Sequence, residues 1–244
     1  MSQVESNNSY LDHIRFGDAR EMCEIQDGSA QLVYLSPPYV GHHTMTERED
    51  EKRLNEELMN EAARVTDLKF GFVVTYNTDF YLKGGIYPRH DIVREAAKTA
   101  GLELYATKYH ISSFNRDQFR MTLHHIQVFI HSGEIISARK RNKRLAEYEP
   151  DAWYFNKKQH VGDFRDAIPP EAAVIPIANF TEKGELVVSQ CAGTGTIVIA
   201  ALKMGRRSIG YEIEKSREKL MEIRQRDFEK YFSSQNILDM IARE

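Results

Sequence analysis

The 244-residue chain has few cysteines, one tryptophan and no large excess of charge of either sign. Cys23 and Cys191 are too few for a disulfide framework or a multi-cysteine metal site, which favours a reducing compartment. A net charge of −3 excludes a globally basic nucleic-acid binder, although it permits a local basic patch. There is no apolar run long enough to span a bilayer, and residues 1–10 lack the apolar stretch of a signal peptide. We therefore expect a cytoplasmic protein without membrane contact.

Hydrophobic residues make up 41% of the chain and charged residues 28%, which is typical of a globular protein with a substantial core. Short β-like runs alternate with helical runs along the chain. The predicted strands are 32–35, 70–76, 102–111, 124–130, 185–189 and 207–212, and the predicted helices are 47–66, 91–100, 170–180 with an interruption at Pro176, 196–204 and 216–231. This alternation favours an α/β fold with a largely parallel sheet. We expect residues 1–244 to form a single domain.

A glycine turn lies between the predicted strand 185–189 and the predicted helix 196–204. Gly193 and Gly195 permit positive φ angles and a close backbone approach to a ligand. One strand later, Glu212 can accept both hydroxyls of a ribose, so the two features together describe a pocket for a nucleoside-type cofactor. The third glycine of the dinucleotide pattern and the Gly-Lys-Ser/Thr of a phosphate loop are both missing, which disfavours NAD and ATP. A tight turn and a solvated strand end explain the same residues, so this segment alone leaves both interpretations open.

A Ser-Pro-Pro-Tyr turn follows the predicted strand 32–35, at the end where open α/β sheets bind ligands. Pro37 and Pro38 lack N–H groups, and their carbonyls have no evident local partner, so they suit a substrate amino group. Ser36 adds a hydroxyl acceptor, and Tyr39 offers a flat face on which a base can stack. A plain proline turn with a packed tyrosine fits equally well when the segment is taken alone.

The combination of segments resembles the DNA amino-methyltransferases that modify cytosine N4 or adenine N6 with S-adenosylmethionine. It is similar to the circularly permuted class, in which the catalytic motif precedes the cofactor motif. The segments that carry the resemblance are Phe16–Ala19, Ser36–Tyr39, a weaker match over Gln159–Pro170, Ala192–Thr196 and Gly205–Glu214. The resemblance does not cover the N-terminal residues 1–10 or residues 135–158.

The resemblance implies a Rossmann-like fold for S-adenosylmethionine-dependent methyl transfer, mostly parallel and with helices on both faces. It implies that Asp18 faces the cofactor adenine and that Glu212 holds the ribose. The implied cofactor-binding residues are Asp18, Ser189, Cys191, Ala192, Gly193, Thr194, Gly195, Thr196 and Glu212, and the implied catalytic residues are Ser36, Pro37, Pro38 and Tyr39. Ser189 stands where the family has an aspartate, so contact with the methionine end of the cofactor is expected to be weaker.

The resemblance also implies a double-stranded DNA substrate, with the target base flipped out of the duplex. Serine at the first motif position accompanies cytosine N4 more often than adenine N6 in this family, which favours cytosine N4. A cognate restriction endonuclease, a prokaryotic or phage setting and a monomeric or homodimeric state complete the expectation. Adenine N6, an RNA substrate and a catalytically silent DNA-binding subunit are the alternatives.

Residues 132–162 differ in character from the rest of the chain and are expected to form a small insertion, and the resemblance implies that this insertion recognises the target. A basic run lies within it, and we expect its members to contact DNA phosphates: Arg139, Lys140, Arg141, Lys143 and Arg144. A solvated loop beside a core aromatic cluster is the alternative.

Two histidine pairs, His42–His43 and His124–His125, raise the question of a metal site. Adjacent residues on a strand point to opposite faces, and neither pair has an acid or a cysteine at ligand spacing. The sequence therefore predicts no metal site.

Overall fold

The computed structural model describes residues 10–38, 48–82, 85–111, 123–141, 151–154, 159–162 and 164–232. The strands are β1 (Ile14–Phe16), β2 (Leu32–Leu35), β3 (Phe72–Asn77), β4 (Phe80–Leu82), β5 (Gly85–Tyr87), β6 (Leu102–Ile111), β7 (Leu123–His131), β8 (Ala152–Tyr154), β9 (Gln159–Val161), β10 (Phe164–Ala167), β11 (Leu186–Gln190) and β12 (Arg207–Glu212). The helices are α1 (Arg48–Val65), α2 (Arg89–Thr99), α3 (Ile135–Arg141), α4 (Pro170–Phe180), α5 (Thr196–Lys203) and α6 (Glu218–Phe232), with single 3₁₀ turns at Tyr10–His13 and Lys215–Arg217. No helix in these ranges is long and apolar enough to cross a membrane.

An eight-stranded sheet in the order β1-β12-β11-β2-β3-β7-β6-β8 organises the described residues. Within it β7 runs antiparallel to both of its neighbours, and every other pairing is parallel. The strands β4 and β5 form a separate antiparallel pair, as do β9 and β10. The largely parallel α/β sheet predicted from the sequence is confirmed. One edge of the sheet is where five parallel strands end, namely β1, β2, β3, β11 and β12. We call it the carboxyl edge.

The central strands are covered by helices on both faces, which explains their nearly continuous apolar sequences. In β2, Leu32 and Tyr34 face a cluster built on α4 and α5, while Val33 and Leu35 face a cluster built on α1 and α2. All four side chains are buried, because successive residues of a strand point to opposite faces. The helices α3 and α6 also contribute to the first cluster, through Ala138 and Phe228.

Helix α4 runs through Pro176 without the interruption predicted from the sequence. A proline has no N–H to donate to the carbonyl four residues earlier, which here belongs to Ala172. The hydroxyl of Tyr34 donates to that carbonyl at 2.9 Å. The sheet therefore supplies the hydrogen bond that the helix cannot make, and the buried carbonyl stays satisfied.

Arg206 joins the ends of α4 and α5 at the edge of the sheet opposite the carboxyl edge, where β11 and β12 begin. Its buried guanidinium donates to the Thr181 carbonyl after α4 at 2.6 Å and to the Met204 carbonyl after α5 at 2.7 Å. Carbonyls in the last turn of a helix have no partner within the helix, so a buried arginine there satisfies both ends at once. Arg206, which lies in the Gly205–Glu214 segment that carries the family resemblance, thus has a structural role.

The described parts of residues 132–162 belong to the main body of the fold. Strand β8 extends the sheet beyond β6 by parallel pairing, and Trp153 on that strand is buried. Ala138 of α3 is also buried in the core. The predicted insertion is therefore tied to the sheet at α3 and at β8.

Candidate cofactor and catalytic site

The two turns singled out in the sequence leave neighbouring strands at the carboxyl edge. Leu35 of β2 pairs in register with Gln190 of β11, and Ser36 and Cys191 follow them directly. On the other side of β11, Glu212 ends β12 and pairs in register with Phe16 of β1. The sheet order therefore brings together segments that are more than 150 residues apart in the chain.

The glycine turn has an unusual backbone. Cys191, Gly193 and Gly195 all have positive φ, at 55°, 58° and 77° respectively. The left-handed conformation costs a residue with a side chain about 1–2 kcal/mol, and Cys191 adopts it here. Ala192 is held in this turn by its N–H, which donates to the Tyr211 carbonyl at 2.7 Å. Strain of this kind persists only where surrounding contacts hold the turn in place.

Glu212 is a buried carboxylate at the centre of the candidate cofactor site. One of its oxygens accepts the N–H of Gly193 at 2.7 Å, and the other accepts the N–H of Glu214 at 2.9 Å. The guanidinium of Arg217 lies 3.6 Å from it. These contacts orient the carboxylate, and each oxygen retains a lone pair that can accept a hydroxyl. The group therefore fits the vicinal hydroxyls of a ribose.

Asp18 lies in the loop that follows β1, two residues after the partner of Glu212. The guanidinium of Arg20 binds both of its carboxylate oxygens, at 2.9 Å and 2.6 Å, and lowers the pKa of Asp18 below its usual value. Arg20 also bonds Glu57 of α1 at 2.7 Å. Asp18 is therefore ionised and fixed in direction beside the turn.

The Cys191 thiol lies close to both carboxylates of the site. Burial is the main cause that raises its pKa to about 12, and the charges of Glu212 and Asp18 add to the effect. The thiol is therefore neutral near pH 7. Cys191, Glu212 and Asp18, three of the predicted cofactor residues, therefore lie close enough to interact electrostatically.

The residues around the turn are anchored from behind by contacts that sequence reasoning missed. Arg224 of α6 is fully buried and donates to the Thr196 hydroxyl at 3.0 Å, and that hydroxyl lies 3.1 Å from the hydroxyl of Thr194. Burial lowers the pKa of Arg224 to about 10. No local pattern in the sequence marks an arginine 28 residues downstream as a partner of the turn.

Two residues of β11 stand where the family resemblance expects Asp-Pro. Ser189 is buried and pairs in register with Tyr34 and Gly210. The amide of Gln190 donates to the Ala19 carbonyl at 2.9 Å and to the Leu58 carbonyl of α1 at 3.2 Å. Gln190 therefore ties the loop that holds Asp18 to the neighbouring helix.

The turn that follows β2 is held by an arginine that sequence reasoning did not find. Nη2 of Arg89 donates to the carbonyls of Pro37 and Pro38, at 3.0 Å and 3.2 Å. Its Nε lies 2.6 Å from the carboxylate of Glu51, and both side chains are buried. The sequence offers the two carbonyls no local partner, but the fold supplies a distant one, because α2 places Arg89 against them. A carbonyl oxygen has two lone pairs, so each can still accept a second hydrogen bond.

Ser36 donates its hydroxyl to the carbonyl of Tyr76 on β3, at 3.2 Å. The hydroxyl oxygen is thereby oriented and can accept a hydrogen bond from another group. Tyr39 lies outside the described residues, so its predicted stacking role stays a prediction.

The basic run is only partly described. Arg139, Lys140 and Arg141 form the last turn of α3, and Lys143 and Arg144 lie outside the described residues. Arg141 forms an ion pair with Glu185, which precedes β11 at the edge opposite the carboxyl edge. At 3.3 Å per residue, β11 separates the two edges by about 16 Å. The structure therefore does not bring Arg141 to the two turns, and the DNA contacts of the run stay a prediction.

Comparison with known proteins places the chain in a family. The family model described as DNA methylase, N6_N4_Mtase, matches residues 30–222. The Type II methyltransferase M.MjaI of Methanocaldococcus jannaschii is 28% identical, over 86% of this chain and 89% of the relative.

Solved structures show the same fold at lower identity. A putative DNA modification methylase of Thermus thermophilus, TTHA0409, solved with S-adenosyl-L-methionine, superposes with a TM-score of 0.68 at 22% identity, over 88% of this chain and 93% of that one. The cytosine-N4-specific PvuII DNA methyltransferase gives a TM-score of 0.69 at 17% identity, over 94% and 91%. Since the family model spans most of its length, the chain belongs to the N6/N4 DNA methylase family.

Proposed function

We propose that the protein is an S-adenosylmethionine-dependent DNA methyltransferase that modifies the exocyclic amino group of a flipped base, with cytosine N4 as the favoured target. The observation that carries the proposal is the pairing of β2 with β11, which sets the Ser36–Pro38 turn beside the glycine turn at the carboxyl edge. Open α/β sheets bind their ligands at this edge. Membership of the DNA methylase family supplies the substrate class.

In this proposal Glu212 accepts the ribose hydroxyls and Asp18 faces the adenine of the cofactor. The turn over Cys191, Ala192, Gly193, Thr194, Gly195 and Thr196 lies against the rest of the cofactor, with the buried Ser189 beneath it. The residues fit such a group, because a buried and oriented carboxylate stands beside a turn in which a β-carbon at position 193 would meet no side chain of the described residues within 4 Å. When bound, the cofactor supplies an activated methyl group.

The chain's own residues then prepare the acceptor. An exocyclic amino group is a weak nucleophile because its lone pair is delocalised into the ring. Hydrogen bonds from that amino group to the Ser36 hydroxyl and the Pro37 carbonyl favour a pyramidal nitrogen and free the lone pair. Tyr39 stacks on the flipped base. Positioning of this kind supplies up to about 7–11 kcal/mol in well-oriented systems.

The test is to incubate the protein with methyl-labelled S-adenosylmethionine and unmethylated double-stranded DNA, and to identify the methylated nucleoside by mass spectrometry. We expect labelled N4-methylcytosine. Labelled N6-methyladenine would keep the mechanism and overturn the choice of base. Absence of product on DNA, with cofactor binding intact, would overturn the DNA substrate and direct the assay to RNA. Absence of both product and cofactor binding would favour a silent DNA-binding subunit.

Two variants separate catalysis from cofactor binding. Tyr39→Ala and Pro38→Ala are each expected to abolish methyl transfer while calorimetry still detects cofactor binding. Loss of cofactor affinity in a folded Tyr39→Ala protein would contradict the roles assigned here.

A further inference from the structure

The first turn of α2 carries Arg89 but has no cap of its own. Arg89 is the first helical residue, and Pro88 before it makes no side-chain hydrogen bond to the helix. The first N–H groups of a helix have no partner within the helix, and a cation at this end opposes the helix macrodipole. The α2 start, by which we mean Pro88–Asp91, therefore needs partners from elsewhere in the fold to hold Arg89 in place.

Asp79, which follows β3, supplies the missing cap. Its Oδ1 accepts the backbone N–H of His90 at 3.2 Å, and its two oxygens lie 2.8 Å and 2.7 Å from Nδ1 of the same histidine. His90 is the second residue of α2, and the N–H at this position is one that an N-cap side chain normally satisfies. Asp79 is buried, so water competes little for its hydrogen bonds. A carboxylate from another element thus acts as the N-cap.

Two further contacts hold His90 from β7. Its carbonyl accepts the side-chain amide of Gln127 at 3.1 Å, and its ring stacks on the ring of His125 at 4.1 Å with 6° between the planes. Gln127 is buried, and its Oε1 accepts Nδ2 of Asn77 on β3 at 3.3 Å. The N–H, the carbonyl and the ring of His90 are therefore all held by the sheet, which fixes the α2 start against β3 and β7.

Fixing His90 also fixes Arg89, the residue before it. Nη2 of Arg89 donates to the Pro37 and Pro38 carbonyls at 3.0 Å and 3.2 Å, which are ordinary lengths for such bonds. A shift of the α2 start by about 1 Å away from the turn would stretch both distances beyond hydrogen-bond range. The geometry of the turn after β2 thus depends on a contact made at Asp79, outside the turn itself.

We propose that Asp79 is a positioning residue for methyl transfer. It caps α2 from the end of β3, keeps Arg89 on the Pro37 and Pro38 carbonyls, and so sets the direction in which the Pro37 carbonyl meets the target amino group. The inference rests on the proposed function, which assigns that carbonyl to the amino group. In this role Asp79 acts through the α2 start and touches neither the cofactor nor the base.

Hydrogen exchange at Arg89 tests the positioning without an assay of activity. In protein labelled with ¹⁵N-arginine, the Nε–H signal of Arg89 is identified by its loss in Arg89→Lys. The buried pair with Glu51 should make this proton exchange slowly with water. Asp79→Ala should speed the exchange about tenfold or more, because the α2 start opens more often. Asp91→Ala removes an exposed acid of the same turn that pairs with Arg94, and should change the exchange rate by less than about twofold.

Kinetics test the consequence for the reaction. Asp79→Ala should lower kcat about 10- to 100-fold, the effect of a displacement near 1 Å, and change the cofactor dissociation constant less than about threefold. Asp79→Asn keeps an oxygen that accepts the N–H of His90 and should recover part of the lost kcat. Once Asp79→Ala is made, adding Arg89→Lys should cost less than about threefold more, because both substitutions act on the same carbonyl contacts.

The outcomes separate this inference from the proposed function. Unchanged exchange at Arg89 in Asp79→Ala, or losses of kcat that multiply fully in the double variant, would overturn the positioning role and leave the methyltransferase activity standing. A parent without methyl transfer would overturn the proposed function and the assigned role in catalysis with it. If Asp79→Ala does not fold, Asp79→Asn takes its place, and parent values of both exchange and kcat in that variant would refute the inference.

Discussion

At the residue scale, the candidate site depends on polar groups whose direction is fixed by the backbone around them. Glu212 is the clearest case, because the N–H groups of Gly193 and Glu214 each hold one of its oxygens. The motif in the sequence identifies the carboxylate, but its orientation comes from the turn on one side and the end of β12 on the other. A ligand that binds here meets a preorganised acceptor, which reduces the entropy lost on binding.

We expect Glu212→Gln to weaken S-adenosylmethionine binding about 10- to 100-fold, because a hydrogen bond to a charged group contributes about 1.5–3 kcal/mol. Calorimetry on the folded variant measures this. Glu214→Gln is the matched control, since Glu214 lies on the same turn and pairs with Arg217. The control should change the dissociation constant less than threefold. An unchanged dissociation constant in Glu212→Gln would remove this residue from the cofactor site.

At the element scale, contacts between helices and sheet hold groups that neither could hold alone. The Tyr34 hydroxyl completes α4 where Pro176 leaves the Ala172 carbonyl unpaired. Arg89 of α2 and Glu51 of α1 similarly secure the turn after β2. Each contact joins two elements that lie far apart in the chain, so the local sequence of either element gives no sign of it.

Removal of the Tyr34 hydroxyl should destabilise the fold. A buried acceptor left unpaired costs about 1–3 kcal/mol, so Tyr34→Phe should lower the free energy of unfolding by that amount in urea denaturation. Pro176→Ala restores an N–H that can bond Ala172 within the helix. The double variant should therefore regain part of the loss, a coupling that a double-mutant cycle measures. Additive effects of the two substitutions would contradict the proposed contact.

Arg89 should act on catalysis through position. Arg89→Lys keeps the charge near Glu51 but loses the fork that reaches the Pro37 and Pro38 carbonyls. We expect kcat to fall about 100-fold, the effect of a displacement near 1 Å, with the cofactor dissociation constant changed less than threefold. Arg94→Lys on the exposed face of α2 is the control and should retain the parent kcat. A rise in KM with unchanged kcat would contradict a positioning role.

At the scale of the whole molecule, a net charge of −3 does not favour DNA as a partner, so contact with phosphates requires a local basic surface. The basic run supplies five cations, but Arg141 is engaged by Glu185 at the far edge of the sheet. Arg139, Lys140, Lys143 and Arg144 remain as the predicted contacts.

Salt dependence of DNA binding separates these roles. The double variant Lys143→Ala/Arg144→Ala should weaken DNA binding and reduce the slope of log K against log salt by up to about 1.8, at about 0.9 per phosphate contact. Arg141→Ala should leave that slope unchanged and lower thermal stability, because Glu185 loses its ion pair. Fluorescence anisotropy at several salt concentrations measures the slopes, and thermal denaturation measures the stability. An unchanged slope in the double variant would remove these two residues from the DNA contact.

The sequence alone was enough to predict the α/β class, six of the eight strands of the main sheet, five of the six helices, and the turns that carry Ser36 and Gly193. These follow from local rules, since hydrophobic periodicity and turn residues act over a few neighbours. Three outcomes became visible in the folded chain alone: α4 continues through Pro176, Arg89 binds the Pro37 and Pro38 carbonyls, and Arg141 lies far from both turns. The contacts behind these outcomes join residues 44 to 138 positions apart. Which distant residues meet depends on strand order and helix packing, and no short stretch of sequence specifies either.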